Sequence, residues 1–194
     1  MPRIAYFVHG RGRAHAVRTR GVLERIPQAH DLRLYCAGSA YELLEAHPAS
    51  EQVGLYAPGR GMAAAFARRF TADRLRLRAF DPDLVVSDGD GPSANAAWSL
   101  GVPMLAIGHG LVFRHAHLRT RLPWLARLRE TVNSASSSWP ASRRVVVHFA
   151  PAEPATRGTV VVRPDFDLRR KEEANRDDLI LAYFRDDNGA EAVE

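Results

Sequence analysis

Residues 81–110 read DPDLVVSDGDGPSANAAWSLGVPMLAIGHG, and this stretch decides the fold. Two short apolar runs, 84–86 and 104–107, lie on either side of a segment of small residues, where Pro92 suits the first turn of a helix. Apolar runs of this length are typical of strands buried on both faces, as in parallel sheets. The stretch therefore predicts a strand, a helix over 93–100 and a second strand parallel to the first.

The same alternation of short apolar runs and helical segments extends in both directions from this unit. Further strands are predicted at 4–8, 32–36, 53–56, 145–149 and 159–162, and further helices at 15–26, 39–46, 62–80 and 123–134. Ser39 would cap the second helix, and the first would bury one face through Val17, Val22, Leu23 and Ile26. Repeated βαβ units predict an α/β fold, a doubly wound, Rossmann-like parallel sheet with helices on both faces, over residues 1–165.

Residues 166–194 have a different pattern. A charged linker is followed by the apolar run 179–184, LILAYF, and then by a polar turn. A hydrophobic strand needs neighbours on which to pair. This segment either opens a second domain or adds an edge strand to the first sheet.

Composition limits the location and the partners. Cys36 is the only cysteine, so no disulfide can form within the chain, and a cytoplasmic location is the default expectation. The formal net charge is +5, and almost all basic residues are arginines that are spread along the chain without interleaved aromatic residues. This distribution argues against nucleic acid as a partner. The arginines either solvate helix faces or form a patch that meets anionic lipid or a phosphorylated substrate.

Three polar loops follow predicted strands, at 9–15, 88–92 and 108–117. In an open parallel sheet the carboxyl ends of the strands meet at one edge, where ligands bind. These loops therefore predict one site. Its candidate substrate-binding residues are Gly10, Gly12, Arg13, Asp90, Gly91, His109, Arg114 and His115.

The first loop, Gly10-Arg11-Gly12-Arg13-Ala14-His15, departs from a dinucleotide-binding fingerprint. His15 stands where the third glycine would pack the helix against the strand, and Tyr35 and Cys36 end the second strand in place of an acidic ribose contact. We therefore expect no nicotinamide or flavin cofactor. The histidines in the three loops also lack the spacing of a metal site, so no metal is expected.

His15 is the candidate base. An imidazole at the mouth of the cleft can accept a proton, and a carboxylate that stabilises its charged form would complete a catalytic dyad. Asp88 follows a strand that neighbours the first strand in doubly wound folds, and Asp90 competes for the role. The alternatives are a hydrogen-bonded structural histidine and an aspartate that only caps a helix.

These blocks resemble a known family. The strand-G-x-G-x-x-H-helix opening, together with the strand, small-residue helix and LGVP turn of residues 81–110, is similar to the N-terminal, acceptor-side domain of GT-B glycosyltransferases. That family includes the peptidoglycan N-acetylglucosaminyltransferase and the antibiotic and UDP-sugar transferases. The resemblance covers about residues 1–165, and LAYFRDDNG resembles the first strand of the C-terminal domain.

The resemblance implies sugar transfer from a nucleotide donor to an acceptor hydroxyl. By position, His15 would deprotonate that hydroxyl and Asp88 would orient His15. The donor, a substrate and not a cofactor, would be held mainly by a C-terminal domain, so the chain alone is expected to be inactive. The acceptor would be a small molecule or lipid-linked. The arginine patch considered above would allow peripheral contact with the inner face of an anionic membrane. A sugar-nucleotide epimerase or a non-catalytic binding domain of the same fold remain the alternatives.

Overall fold

The computed structural model describes residues 1–27, 29–56, 59–118 and 123–164. Nine strands and six helices lie in these ranges. The strands are β1 Arg3–Val8, β2 Asp31–Ala37, β3 Ser50–Val53, β4 Leu84–Asp88, β5 Met104–Gly108, β6 Ala116–His117, β7 Arg143–Val147, β8 Glu153–Pro154 and β9 Thr159–Val162. The helices are α1 Ala14–Leu23, α2 Gly38–Leu44, α3 Met62–Phe80, α4 Gly91–Ser99, α5 Val112–His115 and α6 Trp124–Ser138.

Seven strands form one parallel sheet in the order β3-β2-β1-β4-β5-β7-β9. Strands β6 and β8 form a separate antiparallel pair. The sequence order runs one way from β1 through β2 to β3 and the other way from β1 through β4 to β9. The predicted doubly wound parallel sheet is confirmed.

Alternate side chains along the central strands enter two apolar clusters, one on each face of the sheet. Phe7 packs in one cluster with residues of α3 and α4, among them Leu77 and Ala97. Tyr6 and Val8 pack in the other with Ala16 of α1. Burial of successive residues on opposite faces explains why these strands read as unbroken apolar runs.

Three local predictions were wrong. The third strand is Ser50–Val53, whose polar residues suit an edge strand and carry no apolar signal. Val17 is 60% exposed, because α1 turns His15, Arg18 and Thr19 towards the sheet edge. Ser39 does not cap α2, since its hydroxyl donates to the carbonyl of Gly10. The predicted linker and strand of residues 166–194 lie outside the described residues.

Candidate functional site

The candidate site lies where the strand order reverses, at the carboxyl ends of β1 and β4. These two strands are neighbours, and the backbone N–H of His9 donates to the carbonyl of Asp88 across their ends at 3.1 Å. Helix α1 leaves β1 towards one face of the sheet and α4 leaves β4 towards the other. In doubly wound folds, ligands bind in the crevice that such a divergence forms at the carboxyl ends of the strands, and we call this position the crevice.

His15 and Asp88 meet in this crevice. The Nδ1 atom of His15 lies 2.7 Å from Oδ1 of Asp88. The imidazole side chain is 25% exposed and the carboxylate is fully buried. His15 stands in the first turn of α1, and Asp88 is the last residue of β4, so the two contacting groups come from elements on either side of the crevice.

Asp88 also binds Arg18 and Thr19, one turn further along α1. Arg18 donates from Nε to Oδ2 at 3.0 Å and from Nη2 to Oδ1, and the Thr19 hydroxyl lies 3.4 Å from Oδ2. Burial opposes ionisation of Asp88, but the charge of Arg18 and the hydrogen bond from His15 outweigh it, so the pKa of Asp88 lies below its usual value. Asp88 is therefore a buried, fully satisfied carboxylate anion.

Glycines bring the loops close together. Gly89 has a φ of 71°, and a Cβ there would lie 2.7 Å from Cε1 of His15. Gly89 thus lets the imidazole lie against the backbone that follows β4. At Gly10, a Cβ would overlap the carbonyl of Ala37, so this glycine packs the first loop against the end of β2.

Gly12 and Arg13 lie on the exposed side of the first loop. Gly12 has a φ of 94°, and a Cβ there would meet no atom within 4 Å. Arg13 precedes α1 without a capping side chain. The N-terminal N–H groups of α1 therefore lack a side-chain cap at the crevice, next to His15.

Asp90 does not pair with His15. It is fully buried and caps α4 by accepting from the backbone N–H of Ser93 at 3.1 Å. Arg69 of α3 lies 3.2 Å from Oδ2 of Asp90 and 3.2 Å from Oδ2 of Asp73, so one buried guanidinium joins two buried carboxylates. Gly91 is buried too, and a Cβ there would lie 2.6 Å from the hydroxyl of Ser136.

His9 and Tyr56 lie between the His15–Asp88 pair and the Arg69–Asp90 pair. The His9 ring lies 5.6 Å from the His15 ring in an edge-on arrangement and 5.4 Å from the Tyr56 ring. Burial lowers the pKa of His9 to about 4, with His15 and Arg69 acting in the same direction. His9 is therefore neutral at physiological pH.

A second aromatic group follows β5 and β7 on the same edge of the sheet. Nδ1 of His109 donates to the carbonyl of Val147 at 3.0 Å. The rings of His109 and His148 stack at 5.2 Å, and Phe149 lies edge-on at 6.1 Å from His109. His109 and Phe149 are exposed, and the contact of His109 with a ligand stays a prediction.

His115 is buried between elements of the described domain. It is 3% exposed, and its ring nitrogens contact the hydroxyls of Thr156 at 3.0 Å and Ser138 at 3.3 Å. Burial, together with Arg144 and Arg114, lowers its pKa to about 4. These contacts occupy both ring nitrogens and join α5 to the end of α6 and to the β8–β9 connection, while Arg114 is exposed.

Sequence reasoning missed Arg18 and Arg69. The signal for Arg18 was its place three residues after His15, on the same face of a predicted helix. Arg69 carried no comparable signal, because its partner Asp90 is 21 residues away and only the packing of α3 against α4 brings them together.

No protein-family model and no curated protein matches the sequence. Solved structures do resemble it. MurG of Acinetobacter baumannii matches at a TM-score of 0.59 and 17% identity over 82% of this chain and 45% of that chain. UDP-GlcNAc 2-epimerase of Neisseria meningitidis, solved with UDP-GlcNAc, matches at a TM-score of 0.56 and 16% identity, over 75% of this chain and 40% of that chain. UGT2 of Phytolacca americana, solved with UDP-2-fluoro-glucose and pterostilbene, matches at a TM-score of 0.53 and 10% identity, over 77% of this chain and 48% of that chain.

The chain has the GT-B N-terminal fold. Two of these three neighbours were solved with a UDP-sugar or its fluorinated analogue bound, and further UDP-GlcNAc 2-epimerases resemble the chain as well. The chain spans less than half the length of each of these three neighbours. At these identities the likeness establishes the fold alone.

Proposed function

We propose that the chain is the acceptor-side domain of a glycosyltransferase that moves a sugar from a nucleotide-sugar to an acceptor hydroxyl. His15 is the base, and Asp88 orients it and stabilises its charged form. The observation that carries this proposal is the 2.7 Å contact between His15 Nδ1 and the buried carboxylate of Asp88 at the switch point of the sheet.

The arrangement has the order of groups that base catalysis needs. Asp88 occupies Nδ1, so Nε2 is the ring nitrogen left for an acceptor hydroxyl. As Nε2 takes the hydroxyl proton, the oxygen attacks the anomeric carbon of the donor, and the bond to the nucleoside diphosphate breaks. Asp88 then faces an imidazolium, whose charge it stabilises through the same hydrogen bond.

The proposed nucleotide-sugar donor needs a binding surface in addition to the described residues. The GT-B neighbours are more than twice as long as the part that this chain matches. We propose that a second domain, on the same or another polypeptide, holds most of the nucleotide. The uncapped N-terminus of α1 would contribute backbone N–H groups to an oxygen-rich part of either substrate.

The two reaction classes of the neighbours can be separated directly. A transferase releases nucleoside diphosphate only when an acceptor is present, whereas an epimerase inverts a centre of the donor sugar without one. UDP-N-acetylglucosamine is incubated with this chain together with its proposed second domain, which we call the two-domain protein, with and without acceptor extracts, and the sugar is followed by ¹H NMR. Release of UDP that depends on acceptor supports the proposal, and acceptor-independent appearance of an epimer contradicts it.

The base is tested in the same assay. His15→Gln should lower kcat by about 100-fold or more, because general base catalysis contributes on the order of 10²–10⁴. His117→Gln changes an exposed histidine on β6 and serves as the matched control. A His15→Gln protein that is folded and fully active would remove His15 from the mechanism.

Helix α6 supports the proposed membrane contact. No described helix is long and apolar enough to cross a bilayer. Trp124, Leu125, Leu128 and Val132 are 71%, 62%, 51% and 64% exposed, and their spacing places them within an arc of about 100° on α6.

Arginines border this apolar stripe. Arg127 and Arg129 are exposed, and helical geometry sets one on each side of it, with Arg127 bonded to the carbonyl of Phe113 and Arg129 paired with Glu130. An apolar stripe between cationic borders suits a helix lying in the interface of an anionic membrane. We propose that α6 faces such a membrane, which suits an acceptor that carries a lipid.

A further inference from the structure

Arg18 is the cation that holds Asp88, and it stands one turn after His15 on α1. Its guanidinium binds both carboxylate oxygens, through Nε to Oδ2 at 3.0 Å and through Nη2 to Oδ1. The Arg18 side chain is 18% exposed and the Asp88 side chain is fully buried. A two-point pair of this kind fixes the orientation of the carboxylate as well as its charge.

The same guanidinium also approaches His15. Nη2 of Arg18 lies 3.1 Å from Nδ1 of His15, which is also 2.7 Å from Oδ1 of Asp88. Nδ1 therefore faces a donor and an acceptor at once. A neutral imidazole carries one N–H, so it can satisfy only one of them through Nδ1.

The two tautomers of His15 differ in which contact is satisfied. With the proton on Nδ1, the ring donates to the ionised Asp88 over the shorter distance, and Nε2 keeps its lone pair. With the proton on Nε2, the ring accepts from Arg18 but sets a lone pair against a carboxylate oxygen 2.7 Å away. The charge-assisted contact is the stronger, so the first tautomer is favoured as long as Asp88 stays ionised.

We propose that Arg18 is a positioning residue: by holding Asp88 as a fixed, ionised acceptor, it selects the His15 tautomer that leaves Nε2 free to take a proton. The consequence for catalysis rests on the proposed function, but the tautomer is a property of this chain. The other groups around the ring are His9, after β1, and the backbone of Gly89, after β4. Among the described residues, neither forms a hydrogen bond with it.

The test is ¹⁵N NMR of the His15 ring nitrogens at a pH where the imidazole is neutral. In the wild-type chain, Nδ1 should carry the proton and Nε2 should give the signal of an unprotonated nitrogen. In Arg18→Met, the buried Asp88 loses its cation and takes up a proton, because burial disfavours its charge, and the protonated carboxyl then donates a hydrogen bond to Nδ1. The proton of His15 should therefore shift to Nε2.

Two further variants separate this effect from loss of packing. Arg20→Met changes an exposed arginine of the same helix that contacts the carbonyl of Leu43, and it should leave the tautomer unchanged. Arg18→Lys keeps the charge and should keep the Nδ1 proton. If Arg18→Met does not fold, Arg18→Gln replaces it, since glutamine donates a hydrogen bond without a charge.

The outcomes are decisive in either direction. An Nδ1 proton that moves in folded Arg18→Met, and stays in Arg18→Lys and Arg20→Met, supports the proposal. An Nε2 proton in the wild type, or an unchanged tautomer in folded Arg18→Met or Arg18→Gln, overturns it. In the two-domain protein, Arg18→Met should lower kcat by about 10- to 100-fold with an unchanged KM for the donor. If the chain serves another reaction, the tautomer result still stands, so the two failures can be told apart.

Discussion

At the scale of single residues, Gly89 controls the position of His15. Its φ of 71° is unfavourable for any residue with a Cβ, and that Cβ would lie 2.7 Å from the imidazole. We predict that Gly89→Ala destabilises the fold by about 1 kcal/mol through backbone strain. It should also displace His15 from Asp88, and so lower kcat and shift the His15 ring signals in NMR spectra.

Gly101 provides the matched control. Its φ is 70°, yet a Cβ there would meet nothing within 4 Å. Gly101→Ala should therefore lower the free energy of unfolding to a similar extent, measured by chemical denaturation, and leave the His15 signals in place. Equal effects of the two variants on His15 would show that Gly89 contributes only backbone freedom.

The contact of His15 with Asp88 could be predicted from sequence, but the charges around it could not. Both residues follow strands that are neighbours in a doubly wound sheet, so topology alone brings them together. Which of Asp88 and Asp90 contacts His15 could not be predicted, because Asp90 is held by Arg69 of α3, 21 positions away in the sequence. Such pairing depends on helix packing, which a linear pattern does not contain.

At the scale of secondary-structure elements, buried strands and long helices were predicted well. Helix α3, Met62–Phe80, and strand β9, Thr159–Val162, have the predicted bounds. Strand β3 was misplaced because three of its four residues are polar, and β6 and β8 were missed because strands of two residues are too short to show a pattern. The inward face of α1 was also mispredicted, because polar contacts with Asp88, and not apolar burial, set its rotation.

His115 connects three elements and should make their packing sensitive to acid. Its pKa is about 4 in the fold and 6.5 in the unfolded chain. Between these values the unfolded state binds more protons, so this residue lowers stability as pH falls from 6.5 towards 4 and has no such effect above 6.5. From pH 7 to pH 5 the loss is about 2 kcal/mol.

We predict that His115→Gln is less stable than wild type at pH 7 but loses less stability on acidification. Urea denaturation at pH 7 and pH 5 measures the difference, with the exposed His117→Gln as control. The dependence of the free energy of unfolding on pH should be weaker in His115→Gln than in the wild type. It should not vanish, because His9 also has a lowered pKa. An unchanged dependence of stability on pH would mean that burial and the nearby Arg144 and Arg114 do not hold His115 neutral.

At the scale of the whole molecule, the described domain presents two surfaces with different chemistry. The carboxyl edge of the sheet carries the polar crevice with His15, Asp88 and Arg18. Helix α6 carries an apolar stripe between arginines and packs against α4 and α5. A transferase acting on a lipid-linked acceptor needs both surfaces, because the reacting hydroxyl must reach the crevice while the lipid stays in the bilayer.

This arrangement predicts that α6 controls binding to anionic vesicles. Trp124→Ser with Leu128→Ser removes two exposed apolar side chains, and it should weaken co-sedimentation with phosphatidylserine-containing vesicles by at least about 10-fold. Trp98→Ser is the control, because Trp98 is 61% exposed on α4, outside the stripe. Wild-type binding should fall as salt rises, since arginines supply the long-range attraction. Binding that ignores lipid charge, or that the Trp98→Ser control weakens equally, would contradict a membrane role for α6.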